Sequence, residues 1–140
     1  MKKFLALLLT AVMMFSMSIV AFAAVPDTDV VSPLWDNVYS ATNAISFNGT
    51  AGKAESVITG KTGTTKITGT IAVYKLIDEE TDKWDFVGYK GDTTTTSRGL
   101  NLSCTFTGES GAYYKSVLNV TVTTNGVAEN IITFSYNTCP

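Results

Sequence analysis

The chain has 140 residues, a formal net charge of −2 and no histidine. That length suits one domain, and a mildly acidic balance without a basic cluster argues against nucleic acid and against anionic membrane surfaces as partners. Without histidine, Ser-His-Asp and Cys-His catalysis and His-built zinc sites are excluded.

Residues 1–23 read as a secretory signal peptide. Lys2 and Lys3 form a positive start, an apolar run rich in Leu, Met and Ala follows Phe4, and Ala21-Phe22-Ala23 has the small-x-small form of a cleavage site. The alternative, an uncleaved anchor, is disfavoured because the run is short for a span and Thr10, Ser16 and Ser18 interrupt it. Cleavage after Ala23 leaves about 117 residues, with 8 basic against 12 acidic side chains once Lys2 and Lys3 are gone, a net of −4. With no cysteine near the cleavage site and no stable membrane span after cleavage, the expected product is secreted and soluble.

Residues 24–36, with Pro26, Pro33 and three acids, read as a lead-in or linker. Residues 37–140 read as a domain whose strand-like runs alternate with turn signals at sandwich spacing. Seven runs are expected, over 38–47, 53–59, 65–77, 84–90, 99–107, 112–124 and 127–136. In the third, Ile67, Ile71 and Val73 share a face, and Gly69 between them marks a bulge or a close contact. The fifth alternates Leu100, Leu102, Cys104 and Phe106 with Asn101, Ser103, Thr105 and Thr107. The sixth sets Tyr114, Leu118, Val120 and Val122 against Lys115, Asn119, Thr121 and Thr123. Asn125-Gly126 is a hairpin signal, and the seventh run carries Ile132, Phe134 and Tyr136 on one face. Thr93 to Ser97 reads as a polar loop.

No stretch keeps a helical period, so the expected fold is all-β: a single antiparallel β-sandwich of about seven strands, immunoglobulin-like, behind a signal-peptide helix. A small closed barrel is the runner-up. Gly111-Ala112-Tyr113-Tyr114 stands where such sandwiches place a tyrosine corner, and Tyr114 matches the inward face better than Tyr113.

The series Ser56-Val57-Ile58-Thr59-Gly60, Gly63-Thr64-Thr65-Lys66-Ile67, Val73-Tyr74-Lys75, Lys83-Trp84-Asp85-Phe86-Val87, Gly111-Ala112-Tyr113-Tyr114-Lys115, Asn125-Gly126-Val127-Ala128-Glu129 and Ser135-Tyr136-Asn137 covers most of the mature chain. It resembles a group of small secreted β-sandwich proteins, immunoglobulin-like or fibronectin-III-like, from Gram-positive anaerobic bacteria. The resemblance implies a single exported sandwich domain and carries over no activity and no site residues.

Cys104 and Cys139 are the only cysteines. In an exported protein two cysteines predict one disulfide, which would close a loop of about 36 residues and stabilise by roughly 3–4 kcal/mol in the chain-entropy picture. Two free thiols, or an intermolecular pair through Cys139, remain open. A catalytic thiol lacks a histidine base.

Carboxylate chemistry is all that remains for catalysis. Asp78, Glu79, Glu80, Asp82 and Asp85 cluster between the third and fourth runs. Paired carboxylates hydrolyse glycosides and oxygen clusters hold calcium, but the spacing fits no calcium loop and a solvated hairpin tip explains the charges. No catalytic residue, metal or cofactor is expected.

Trp35, Trp84, Phe86 and Tyr89 suit a flat platform for sugar rings. Against that, Trp84 and Phe86 share a face and are expected to reach the core, as the buried tryptophan of a sandwich does. Trp35 is expected to be the exposed aromatic. The candidate binding surface comprises Trp35, Tyr89, Asp78, Glu80, Asp82, Thr94 and Thr95, with loops 78–83, 92–97 and 107–111 as the recognition loops. The expected function is an exported, non-catalytic module that binds an extracellular protein or glycan, or serves as an envelope structural piece. The alternative is a secreted bacteriocin-like or membrane-active effector.

Overall fold

Period-two alternation sorts side chains to opposite sides of a strand, and here it produces two sheets that share one interior. The computed structural model describes residues 34–140, so the signal peptide and the lead-in up to residue 33 lie outside the described residues. The strands are β1 (Val38–Asn48), β2 (Ala51–Gly60), β3 (Thr64–Asp78), β4 (Lys83–Thr95), β5 (Gly99–Thr107), β6 (Tyr113–Thr124) and β7 (Val127–Thr138). They form a three-stranded sheet, β1-β2-β5, and a four-stranded sheet, β4-β3-β6-β7, with every pairing antiparallel. The fold is a β-sandwich. No single sheet closes on itself, as a barrel would require.

Seven strands lie where alternation placed them, but β4 is longer than expected. Thr93, Thr94 and Thr95, read as a loop, pair with Gly69, Thr68 and Ile67 of β3. Threonine packs well on a pleated surface and reads as polar only by composition. Asn125 and Gly126, at φ 51° and 83°, both take left-handed backbone conformations. This is the turn whose twist matches a two-residue hairpin, and it fixes Thr124 opposite Val127.

The interior is built from Ile58, Leu100 and Leu102 of one sheet and Ile67, Ile71, Val73, Leu118, Val120 and Val122 of the other, all buried. Burying one such side chain stabilises the fold by about 1.5–3 kcal/mol. Gly69 serves the packing as its position suggested. A Cβ there would sit 3.0 Å from Leu100 and 3.0 Å from Leu102, and the β3–β4 register shifts between Gly69 and Ile71. Tyr114 forms the tyrosine corner. Its hydroxyl accepts the Glu109 N–H at 2.8 Å, and its ring packs on Phe47 and Phe106 at 5.4 and 5.3 Å.

Asparagines join the edges of the two sheets where β1 passes β7. Asn37 Nδ2 donates to the carbonyls of Val122 and Val127, Asn43 Nδ2 to those of Ser116 and Thr133, and Asn137 Nδ2 to that of Ile45. The contacts advance together along both strands, so β1 and β7 run parallel, bridged by side chains instead of a ladder. Asn43 also accepts from the hydroxyls of Ser56 and Ser116. Both serines are buried, and the network leaves neither unpaired.

The expected disulfide is absent from the structure, where Cys104 and Cys139 are separate buried thiols. Cys104 faces inward beside Gly88, where a Cβ would lie 3.0 Å from its sulfur. Cys139 sits beside Gly108, and its sulfur is 3.7 Å from the Gly49 carbonyl. Export sets the redox compartment but not the geometry, and a bridge needs Cβ atoms about 3.8 Å apart. Burial pushes the Cys104 thiol above its ordinary pKa, which makes it less nucleophilic.

Candidate functional site

The outer side of the four-stranded sheet is aromatic. On β6 the inward set begins with Tyr114, so Tyr113, Lys115, Val117, Asn119 and Thr121 point outward. Directly opposed residues of an antiparallel pair share a face. The hairpin register therefore brings Tyr136 beside Lys115, Phe134 beside Val117 and Ile132 beside Asn119. On the other flank Tyr74 pairs with Lys115 and with Phe86, and Ala72 with Val117 and with Tyr89.

Side chains consequently lie in rows across all four strands. One row is Phe86, Tyr74, Lys115 and Tyr136; the next is Tyr89, Ala72, Val117 and Phe134. With strands about 4.8 Å apart, a row spans about 14 Å. Phe86 and Tyr89 are three residues apart, and alternation alone would send them to opposite sides. The register shift between Val73 and Tyr74 places both outward. Phe86 remains 62% exposed, Phe134 56% and Ile132 52%.

Trp84, expected with Phe86 to reach the core, lies like Phe86 on this outer face. It pairs with Leu76 at the end of β3, and its ring reaches Tyr113 and Tyr136 at 6.2 and 6.4 Å. Trp84 and Phe86 do share a face, but it is the solvent face. The interior at that end is already filled by Tyr114, Phe47 and Phe106. Tyr113 and Tyr136 lie nearly parallel, with ring centroids 5.9 Å apart and 12° between planes.

The Lys115 ammonium sits 3.9 Å from the centre of the Trp84 ring and 5.7 Å from that of Tyr74, a cation–π arrangement. Among the described residues no carboxylate lies within ion-pair distance of it. At the rim Asp82 accepts the Trp84 indole N–H at 2.6 Å and so orients the ring.

Away from Trp84 the same face turns polar. Thr94, Thr68, Thr121 and Asn130 form a row in register. Thr68 and Thr94 share a hydrogen bond of 3.0 Å, and Asn130 Nδ2 donates to Asn119 Oδ1 and Thr121 Oγ1.

The residues singled out by sequence divide accordingly. Tyr89 and Thr94 belong to the face, and Asp82 borders it. Thr95 pairs with inward-facing Ile67 and bonds Ser97. Asp78 is satisfied within its own turn by the Glu80 N–H and the Thr81 hydroxyl; the Thr81 bond chiefly holds its carboxyl below the ordinary aspartate range. Glu80 is exposed at the same turn. Trp35, expected to be exposed, is half-buried against the core. Its carbonyl accepts Lys61 Nζ, and the N–H of its neighbour Asp36 is held by Glu129. That places it at the opposite end of the sandwich from Trp84. Among the described residues, no group of three or more His, Cys, Asp or Glu side chains is placed to hold a metal ion. Sequence reasoning assigned no binding role to Tyr74, Tyr113, Lys115, Phe134 or Tyr136.

No family model matches the chain, and no curated protein matches it. Among solved structures, one match is the crystal structure of Spo0M, sporulation control protein, from Bacillus subtilis, at 12% identity and a TM-score of 0.37. The match covers 71% of this chain and 48% of that one, so this chain spans about half of that protein's length, and a likeness this distant carries no argument about the site.

Proposed function

We propose that this chain is an exported, non-catalytic binding module that takes a glycan on the outer face of its four-stranded sheet. The observation that carries the reading is the join of two chemistries on one sheet face: rows of exposed aromatic rings, then a row of threonine and asparagine. A pyranose ring has the matching surfaces, an apolar C–H face that stacks on aromatic rings and a hydroxyl rim that meets hydrogen-bonding side chains. The non-catalytic part rests on the absence of histidine from the sequence and on an acidic turn in which Asp78 is spent on the Glu80 N–H and the Thr81 hydroxyl. Export rests on the pattern of residues 1–23.

Recognition then falls on a sheet face and not on the loops. An aromatic face of this extent is unusual on a protein without a partner, whereas loops 92–97 and 107–111 are largely absorbed into strand and tyrosine-corner packing. The test is a panel of soluble oligosaccharides titrated against purified protein, followed by tryptophan fluorescence and calorimetry. Binding that Trp84→Ala weakens at least about tenfold supports the module, since anchoring aromatics dominate such interfaces. Binding that survives Trp84→Ala and disappears on mutation of the loops would return the site to the loops.

A further inference from the structure

We infer that the glycan this face selects is an acidic one, bearing carboxylate groups, and that Lys115 reads the charge. The inference rests on the glycan reading above and adds the ligand's sign. Lys115 is the one charged side chain within the aromatic rows, flanked in register by Tyr74 and Tyr136 and covered by Trp84. The rows around it hold Phe86, Tyr89, Val117 and Phe134, and no carboxylate. Its ammonium makes no hydrogen bond or ion pair among the described residues. Stacking on an indole desolvates one side of the cation and leaves its donors available.

Four other cations of the domain are engaged, whereas Lys66, Lys83 and Lys90, like Lys115, have no hydrogen-bond or ion-pair partner among the described residues but stand outside the aromatic rows. Lys75 pairs with Glu109, Lys53 with Glu55, Arg98 with the Gly60 carbonyl, and Lys61 with the Trp35 carbonyl. A chain with an acidic surplus thus keeps a cation without an acidic partner in the middle of its most apolar surface. A carboxylate on a sugar stacked over Trp84 and Tyr136 would receive a charge-assisted hydrogen bond there, in surroundings where water competes weakly.

The same cation decides against the obvious competing occupant, a second copy of the chain. Two-fold pairing of this face with itself matches the same patch on both copies. It would bring two Lys115 ammonium groups into an apolar interface where the bordering acid, Asp82, is already engaged by the Trp84 indole N–H, and an unpaired buried charge is costly. Charge complementarity therefore favours an acidic ligand.

The experiment titrates purified protein with oligogalacturonate, hyaluronan oligosaccharide and sialyllactose, each beside its methyl-esterified, neutral counterpart. The inference predicts that at least one acid binds about tenfold more tightly than its ester, the difference of one charged hydrogen bond. Lys115→Gln should erase that preference, so that acid and ester bind alike, and Lys115→Arg should keep it. Lys53→Gln removes the same charge from the opposite face and should change nothing, which separates local contact from net charge. Raising salt should weaken acid binding and not ester binding. Circular dichroism of each variant confirms an intact sheet. Acid and ester bound equally, or a preference that survives Lys115→Gln, would overturn the inference and leave the glycan reading standing. If no glycan binds, the glycan reading falls with it. Capture of poly-glutamate through Lys115 in place of any glycan would reassign the face to an acidic protein.

Discussion

The two outer faces of the sandwich cover the same interior and have opposite characters. On the three-stranded sheet, Ser46, Lys53, Glu55, Ser103 and Thr105 meet solvent, with Tyr39 and Val57 as scattered apolar residues. On the four-stranded sheet, Trp84, Phe86, Tyr89, Tyr113, Phe134 and Tyr136 lie together. The fold does not require the second arrangement, because the first sheet solves the same problem with polar residues. An exposed aromatic sheet face also invites aggregation. The proposed recognition role would account for its retention on one side only, and each prediction below probes that asymmetry.

The largest expected effect contrasts neighbours on one strand. Leu118→Ala opens a cavity between the sheets and should cost about 2–5 kcal/mol in urea denaturation. Val117→Ala, one residue away on the outer face, should cost less than about 1 kcal/mol. Equal costs would mean that the outer face is covered in solution. Next, Asn43→Ala leaves the Ser56 and Ser116 hydroxyls without their shared acceptor and should cost about 1–3 kcal/mol while leaving ligand binding unchanged. Loss of binding in that variant would tie the seam to the face. Tyr136→Ala should weaken ligand binding at least about tenfold with little change in stability, and Tyr39→Ala on the opposite face should do neither. If the two behave alike, the asymmetry has no functional meaning.

The smallest effects concern pH. The hydrogen bond from Lys75 to Glu109 holds the Lys75 pKa above its ordinary value. That contribution is complete below the ordinary lysine range and fades as pH rises through the raised value. Lys75→Met should therefore remove a shallow alkaline limb from the stability profile. The Thr81 hydroxyl holds Asp78 below its ordinary value, so its contribution is present above that value and fades as pH falls through the lowered one. Thr81→Ala should flatten the acid limb alone. Limbs exchanged between the two variants would contradict these assignments.

Much of the architecture was legible because alternation and turn chemistry are local. The pattern of Leu100, Leu102 and Cys104 announces its inward face, and Asn125-Gly126 announces its hairpin. The tyrosine corner was visible for the same reason. The aromatic face was legible in part. Once Tyr114 and Leu118 point inward, the register set by Asn125-Gly126 forces Tyr136, Phe134 and Ile132 outward beside Lys115, Val117 and Asn119. Reading the seventh run alone hides this, since an apolar stripe suggests a core. The position of Trp84 was not legible, because it depends on bulges in β3–β4 pairing and on an interior end already occupied by Phe47, Phe106 and Tyr114. Compartment reasoning likewise joined Cys104 to Cys139 where three-dimensional packing keeps them as separate thiols.

Backbone amide NMR, recorded while the tightest-binding oligosaccharide is titrated in, tests the central claim most directly. The account predicts shifts concentrated at Tyr74, Trp84, Lys115, Phe134 and Tyr136, with the Trp84 indole N–H among the largest and Lys53, Glu55 and Ser103 unmoved. Shifts gathered on the three-stranded face, or confined to the loops at either end of the sandwich, would contradict it.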